Sequence, residues 1–249
     1  MFRSDPAANT QDRDSWANVE TGARYVNRRR FLGLAATASL LPLIGSCPSF
    51  AAQGALLAAP PANIRFRASH RGDVVGEHSV TYRTDGERLS VVTRIDITVK
   101  VLFFTAYRLK HDAEEIWQSG RLVSVQSTTN DDGVLLKVSG YAVAEGFRIL
   151  GADGPFLAAA HLLTSNTLWN SKLINETKLI DVQHGSEVGM VAKLVGEEDV
   201  DTPQGRIRAH RYQIITPHYA GSIFYDGDGR WVKGFIERQG EILEYALVS

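Results

Sequence analysis

Alternation of apolar and polar side chains is the strongest signal in this chain. From Val91 to Phe103 the odd positions are mostly apolar, while Arg94, Asp96, Thr98 and Lys100 occupy the other face. A period of two predicts a long, half-buried strand, and at about 3.3 Å per residue it runs roughly 40 Å, enough to curl around something. Turn chemistry repeats the message. Thr84-Asp85-Gly86-Glu87, Asn130-Asp131-Asp132-Gly133, Thr202-Pro203-Gln204-Gly205 and Asp226-Gly227-Asp228-Gly229 each separate two strand-like runs, as hairpins require. Only the stretch from Phe156 to Ile174, Ala-rich and carrying Leu162, Leu163, Leu168 and Leu173, predicts a helical interruption. No repeat of fixed period and no compositional shift marks a boundary after residue 62. The expected fold is mainly β, one domain over residues 63–249, in which a long curved antiparallel sheet or open barrel wraps a short helical segment.

The chain ahead of this domain has a different pattern. Arg28-Arg29-Arg30-Phe31-Leu32-Gly33 resembles the consensus of twin-arginine export signals, with Arg28, Arg29, Phe31 and Leu32 as its targeting residues. An apolar run from Phe31 to Ile44 follows the n-region of residues 1–30 and has the length of a signal h-region. It is too short to span a bilayer, which takes about 20 residues. Residues 1–51 are therefore expected to be a signal peptide, and residues 52–62, with their Ala/Pro stretch, a spacer. Two exits are written here. Ser49-Phe50-Ala51 offers cleavage to a soluble product, whereas Ile44-Gly45-Ser46-Cys47 resembles a lipobox that would make Cys47 a lipidated N terminus and tether the domain to a membrane. The soluble outcome is favoured. The resemblance implies the twin-arginine machinery as a partner and an extracytoplasmic, periplasmic destination, and that route carries folded proteins.

Charge and cysteine content narrow the function classes. Of 27 basic and 28 acidic residues, six and four precede Ala52, which leaves 21 against 24 and a net charge of about −3 for the exported part. Basic residues scattered singly over an acidic body offer no electrostatic footprint for nucleic acid. Cys47 is the lone cysteine, so neither an intramolecular disulfide nor a cysteine-based zinc site is available. Stability must come from the core.

Searching for chemistry gives little. The nucleophile elbow, the P-loop, the dinucleotide fingerprint and H-E-x-x-H are all absent. No two of the seven histidines stand at i, i+2 or i, i+4, the spacing by which one strand or helix holds a metal, so they are expected mostly at surfaces and edges, with no metal and no cofactor. The Asp226 to Gly229 run lacks the later ligands of a calcium loop and is expected to be a tight turn. Glu197, Glu198, Asp199 and Asp201 adjoin a Pro-Gln-Gly turn and are expected to be solvated turn charges. Aromatic residues are better supplied. Tyr107, Trp117, Trp169 and Trp231 lie on segments that a wrapped sheet could gather around an apolar pocket, as in barrel mouths, and they are the candidate ligand-binding residues.

Several strings together also resemble a known family. Glu115-Ile116-Trp117 with Gly120-Arg121-Leu122, Thr129-Asn130-Asp131-Asp132-Gly133, Trp169-Asn170, Phe224-Tyr225-Asp226 and Gly229-Arg230-Trp231-Val232 are similar to motifs of exported proteobacterial proteins catalogued only as a domain of unknown function. That resemblance implies no activity and no catalytic residue. The layout is also similar to periplasmic lipoprotein carriers, an analogy of fold alone. The expected function is a noncatalytic binding protein for a lipid or other hydrophobic small molecule. The alternatives are an envelope assembly or interaction protein, and an envelope enzyme with a dispersed active site.

Overall fold

The computed structural model describes residues 62–101, 104–238 and 241–249. The export signal, Cys47 and the spacer lie outside the described residues, apart from Ala62. Eight strands form a continuous antiparallel meander: β1 (Ile64–His70), β2 (Asp73–Asp85), β3 (Arg88–Val101), β4 (Phe104–Gln118), β5 (Arg121–Asp131), β6 (Val134–Val143), β7 (Gly146–Gly151) and β8 (Gly154–Ala158). After an insert over residues 159–190, a second meander follows. It comprises β11 (Val191–Thr202), β12 (Gly205–Ile215), β13 (Ala220–Asp226), β14 (Trp231–Arg238) and β15 (Glu241–Leu247). β15 returns to pair with β1, with Phe66 opposite Leu247 and His70 opposite Leu243. The two meanders thereby become one sheet of 13 strands, from edge strand β11 to edge strand β8, and the sheet does not close.

Local sequence explains most of these strands. Along β3 the odd residues Leu89, Val91, Thr93, Ile95, Ile97 and Val99 are all buried, the period-two face that the pattern predicts. The four turn signals all lie at hairpins, between β2 and β3, β5 and β6, β11 and β12, and β13 and β14. In the last of these, Asp226 accepts backbone N–H bonds from Asp228 at 3.0 Å and Arg230 at 2.8 Å, which is the Asx chemistry of a tight turn. The acidic run differs from expectation. Glu197, Glu198, Asp199 and Asp201 sit on β11 itself, and pairs such as Arg206 with Asp201 (3.0 Å) and Arg208 with Glu197 (3.1 Å) bridge to β12, because the strand continues to Thr202 before turning.

The insert is the element the sheet wraps. It holds two 3-10 helices, Thr167–Trp169 and Ser171–Asn175, then the small hairpin of β9 (Lys178–Asp181) and β10 (Ser186–Gly189). The expected helical interruption is thus shorter and tighter than its Leu and Ala content suggests, and Phe156 to Ala158 belong to β8. Side-chain competition is the cause. The backbone N–H of Thr164 donates to Thr167 Oγ1 at 3.1 Å and that of Asn166 to Thr164 Oγ1 at 3.2 Å, offering the chain partners other than an α-helical ladder. Its apolar residues Leu163, Leu168, Leu173, Leu179, Ile180 and Val182 are buried, each contributing about 1.5–3 kcal/mol of hydrophobic stabilisation.

Two bonds from the insert establish the curvature of the sheet. Thr164 donates to Glu115 on β4, and Leu168 accepts from Tyr225 Oη on β13 at 2.8 Å. On a flat sheet, β4 and β13 would stand six strand spacings apart, about 29 Å, whereas residues 164 and 168 are at most about 14 Å apart along the chain. The sheet must curl.

Backbone meets backbone where the β9–β10 turn rests on the end of β7. Gly185 has φ +80°, and a Cβ there would lie 2.4 Å from the Cα of Gly151. Gly185→Ala is expected to destabilise the fold by about 2–3 kcal/mol, combining left-handed strain with the clash. Urea unfolding measures this directly, and a change within about 0.5 kcal/mol, the range of an ordinary surface substitution, would show the contact to be loose.

Candidate functional site

On the inner face of the sheet, beside the insert, lies an apolar cavity of about 280 Å³. Ile95, Val99, Leu109, Leu168, Ile236 and Leu243 supply aliphatic walls from β3, β4, β14, β15 and the insert. Trp231 forms a buried aromatic wall, its ring 4.2 Å from Phe66 between centroids and its Nε1 donating to the Lys233 carbonyl at 2.8 Å. Ser165 and Gln183 of the insert and His218 and Tyr219 of the β12–β13 loop also line it.

Two polar atoms in this lining lack a protein partner. His78 on β2 is 4% exposed and edged against the rings of Trp231 (5.1 Å) and Tyr245 (5.7 Å). Burial, with His111 adding to it, pushes its imidazole down to about 3, so the ring is neutral. Among the described residues its Nε2 has no hydrogen-bond partner, and the same holds for the Tyr219 hydroxyl, whose acidity burial suppresses. A buried polar group left unpaired costs about 1–3 kcal/mol. At the rim, Glu241 lies 2.7 Å from His70 Nε2 and accepts from Arg71 at 3.0 Å. The His70 bond, more than the nearby arginine charge, holds its carboxyl below the usual range.

A second polar cluster is built into the core rather than the cavity. Along β4 the inward positions read Leu109, His111, Ala113, Glu115 and Trp117, so two titratable groups occupy core places. His111 Nε2 accepts from the Asn166 side chain at 2.9 Å, which leaves the proton on Nδ1 to be donated to Thr129 Oγ1 at 2.8 Å. Burial pushes this histidine down to about 4. Glu115 accepts from Thr164 Oγ1 and, at 3.1 Å, from Trp117 Nε1; burial pushes it up to about 7 against the pull of those two bonds. Both groups are spent on fastening the insert to β4 and β5.

The four candidate aromatics therefore separate. Tyr107 and Trp231 line the cavity, with Tyr107 also donating to Asp131 at 2.8 Å. Trp117 and Trp169 pack edge to face at 5.9 Å in the core, beside the Glu115 cluster and away from the cavity. Five of the seven histidines are partly or fully exposed, in keeping with the expectation that most lie at surfaces and edges, whereas His78 and His111 are interior. One signal for them was available, since His111 and Glu115 share the phase of Leu109 and Trp117 in an alternating strand. Asp181, His184 and His218 form the group that could hold a metal ion among the described residues, their ligand atoms lying within 4.8 Å of one another.

An open antiparallel sheet curled around an irregular insert, with an apolar cavity beside it, defines a β-barrel-like protein. A solved structure of this class is similar, a beta-barrel-like protein of Domain of Unknown Function DUF1849 from Brucella abortus. Its TM-score is 0.56 at 10% identity, with 75% of this chain and 95% of that chain covered, a likeness of fold. By sequence, residues 66–248 match the family described as Domain of unknown function (DUF6134), and the chain belongs to it. No curated protein matches.

The buried carboxyl of Glu115 makes stability depend on pH. Its folded value of about 7 exceeds the ordinary 4.5, so the folded chain binds this proton more tightly than the unfolded chain does. The contribution is complete below about pH 4.5 and is lost as pH rises through 7, a swing of about 3 kcal/mol. Unfolding free energies of the protein and Glu115→Gln, measured from pH 4.5 to 8.5, are expected to shift in favour of the variant by about that amount as pH rises. A difference independent of pH would contradict a protonated buried carboxyl.

Proposed function

We propose that this domain is a noncatalytic, extracytoplasmic binding protein that holds a hydrophobic small molecule bearing one hydrogen-bonding group. The observation that carries this reading is the apolar cavity itself, walled by aliphatic and aromatic side chains and lined also by Ser165, Gln183, His78 and Tyr219. Apolar surface would supply affinity, and the few polar side chains of the lining would fix orientation, the division of labour usual in small-molecule sites. The most strongly perturbed carboxyl, Glu115, does not line the cavity and is hydrogen-bonded into the core, which argues against general acid–base chemistry at this site. The export resemblance of residues 28–33 supports a periplasmic destination, and among the described residues no helix is long and apolar enough to cross a membrane.

A second reading has its own support. Edge strand β11 exposes Val191, Leu194 and Val195, an apolar rim on an unpaired backbone edge, which favours docking of another envelope protein by strand addition.

A fluorescent hydrophobic probe titrated into the purified protein, together with solvent extraction and mass spectrometry of co-purifying lipid, separates these readings. Saturable uptake by the protein and its loss in Val99→Trp, which fills the cavity from β3, are expected while the variant stays folded. Probe binding that survives this substitution would place the binding surface elsewhere, and no uptake at all would favour the edge-docking reading.

A further inference from the structure

Asp181 closes β9 and is 4% exposed, deep for a carboxylate. One of its oxygens is used for positioning. Oδ1 accepts the backbone N–H of Gln183 at 2.8 Å and lies 3.4 Å from Ser165 Oγ, which itself accepts the N–H of Val182 at 3.2 Å. The other oxygen faces two imidazoles. Oδ2 is 2.7 Å from His184 Nδ1 and 3.4 Å from His218 Nε2, and the two rings stack 4.5 Å apart at 22°. Burial opposes ionisation of Asp181, yet the His184 bond and the Gln183 amide outweigh it and hold the carboxyl below its usual range.

A simple ion-pair cluster explains this arrangement poorly. A neutral or protonated His184 donates well to Oδ2 at 2.7 Å, but His218 Nε2 at 3.4 Å is too far for a good N–H···O bond, although its ring stacks beside the first with a nitrogen turned to the same oxygen. A divalent ion placed between the three atoms serves all of them with one charge. Ligand atoms on a tetrahedral zinc stand about 3.4 Å apart for bonds of about 2.1 Å. The Asp181 to His218 separation of 3.4 Å already has that value, and His184 has to retreat by only about 0.7 Å from its 2.7 Å.

We propose that Asp181, His184 and His218 form a three-ligand site for a divalent transition-metal ion, zinc above all. Two imidazole nitrogens and a carboxylate oxygen suit zinc and its neighbours, and do not suit calcium or magnesium, which take oxygen ligands. The backbone and Ser165 bonds that orient Asp181 are the outer-shell supports such sites rely on. On uptake, the ion takes the place of the proton shared by Asp181 and His184, and that proton leaves to solvent. The side chains of His184 and His218 are 29% and 40% exposed, which gives the ion an entry path and leaves a coordination position open. His218 also lines the cavity, so the site adjoins it, but the inference does not depend on a molecule bound there.

Zinc titration by calorimetry of the full, tag-free chain tests this, after chelator treatment and with Cys47→Ser so that the lone thiol contributes nothing. Uptake of about one ion per chain is expected, weakened by His218→Ala at least as much as the roughly 10–100-fold that losing an outer-shell partner brings, and unchanged by His210→Ala on β12. His218 is on an exposed loop, and a thermal melt in chelator verifies that its removal leaves the fold intact. Cobalt substituted for zinc gives a second reading, an intense visible absorption of a low-coordinate N/O site that disappears in His218→Ala. No uptake by the parent chain, or uptake equally strong in His218→Ala, overturns the proposal.

Discussion

Thr164 donates a hydrogen bond to the buried carboxyl of Glu115, and much of this molecule depends on what that contact fastens. A sheet of 13 strands with one apolar face must cover that face, and it does not do so by closing on itself. Residues 159–190 do it instead, although the insert is short and irregular and brings backbone and side-chain polar groups indoors. The sheet supplies partners for several: Glu115 for the Thr164 hydroxyl, His111 for the Asn166 amide, Ser127 for the carbonyl of Val182, Tyr225 for that of Leu168. Buried polar groups on the sheet are thus the cost of using an irregular plug as a core.

The cavity follows from the same arrangement. The insert ties down against β4, β5 and β13, so apolar residues of β3, β14 and β15 face a space its side chains do not fill. There His78 sits on an aromatic bed with an unpaired nitrogen, in contrast to His111, whose two nitrogens are both bonded. Two histidines of similar burial thereby differ, one a fastening and one left unpaired. Past the rim, the β9–β10 turn and the β12–β13 loop bring Asp181, His184 and His218 together, so the insert positions both the cavity and the cluster beside it.

Likeness to the Brucella abortus protein at 10% identity fits this account. A curled sheet around a plug requires alternation and turns more than particular side chains, so the architecture tolerates wide sequence divergence while the lining of the cavity is free to differ.

The long strand β3, four of the hairpins and the start of the interruption were legible in the sequence, because alternation over β3 and the Asp/Gly turns are local codes read within a few residues. The insert is less helical than its Leu and Ala content predicts because the Thr164 and Thr167 hydroxyls capture local backbone N–H groups, and Thr164 and Asn166 are in turn held by Glu115 and His111 of the distant strand β4. Only the tertiary structure decided that β15 pairs with β1, that Tyr107 and Trp231 share a cavity while Trp117 and Trp169 do not, and that His184 meets His218. Those outcomes depend on how far the sheet curls, and curl is set by contacts between residues far apart in the chain, which no local periodicity encodes.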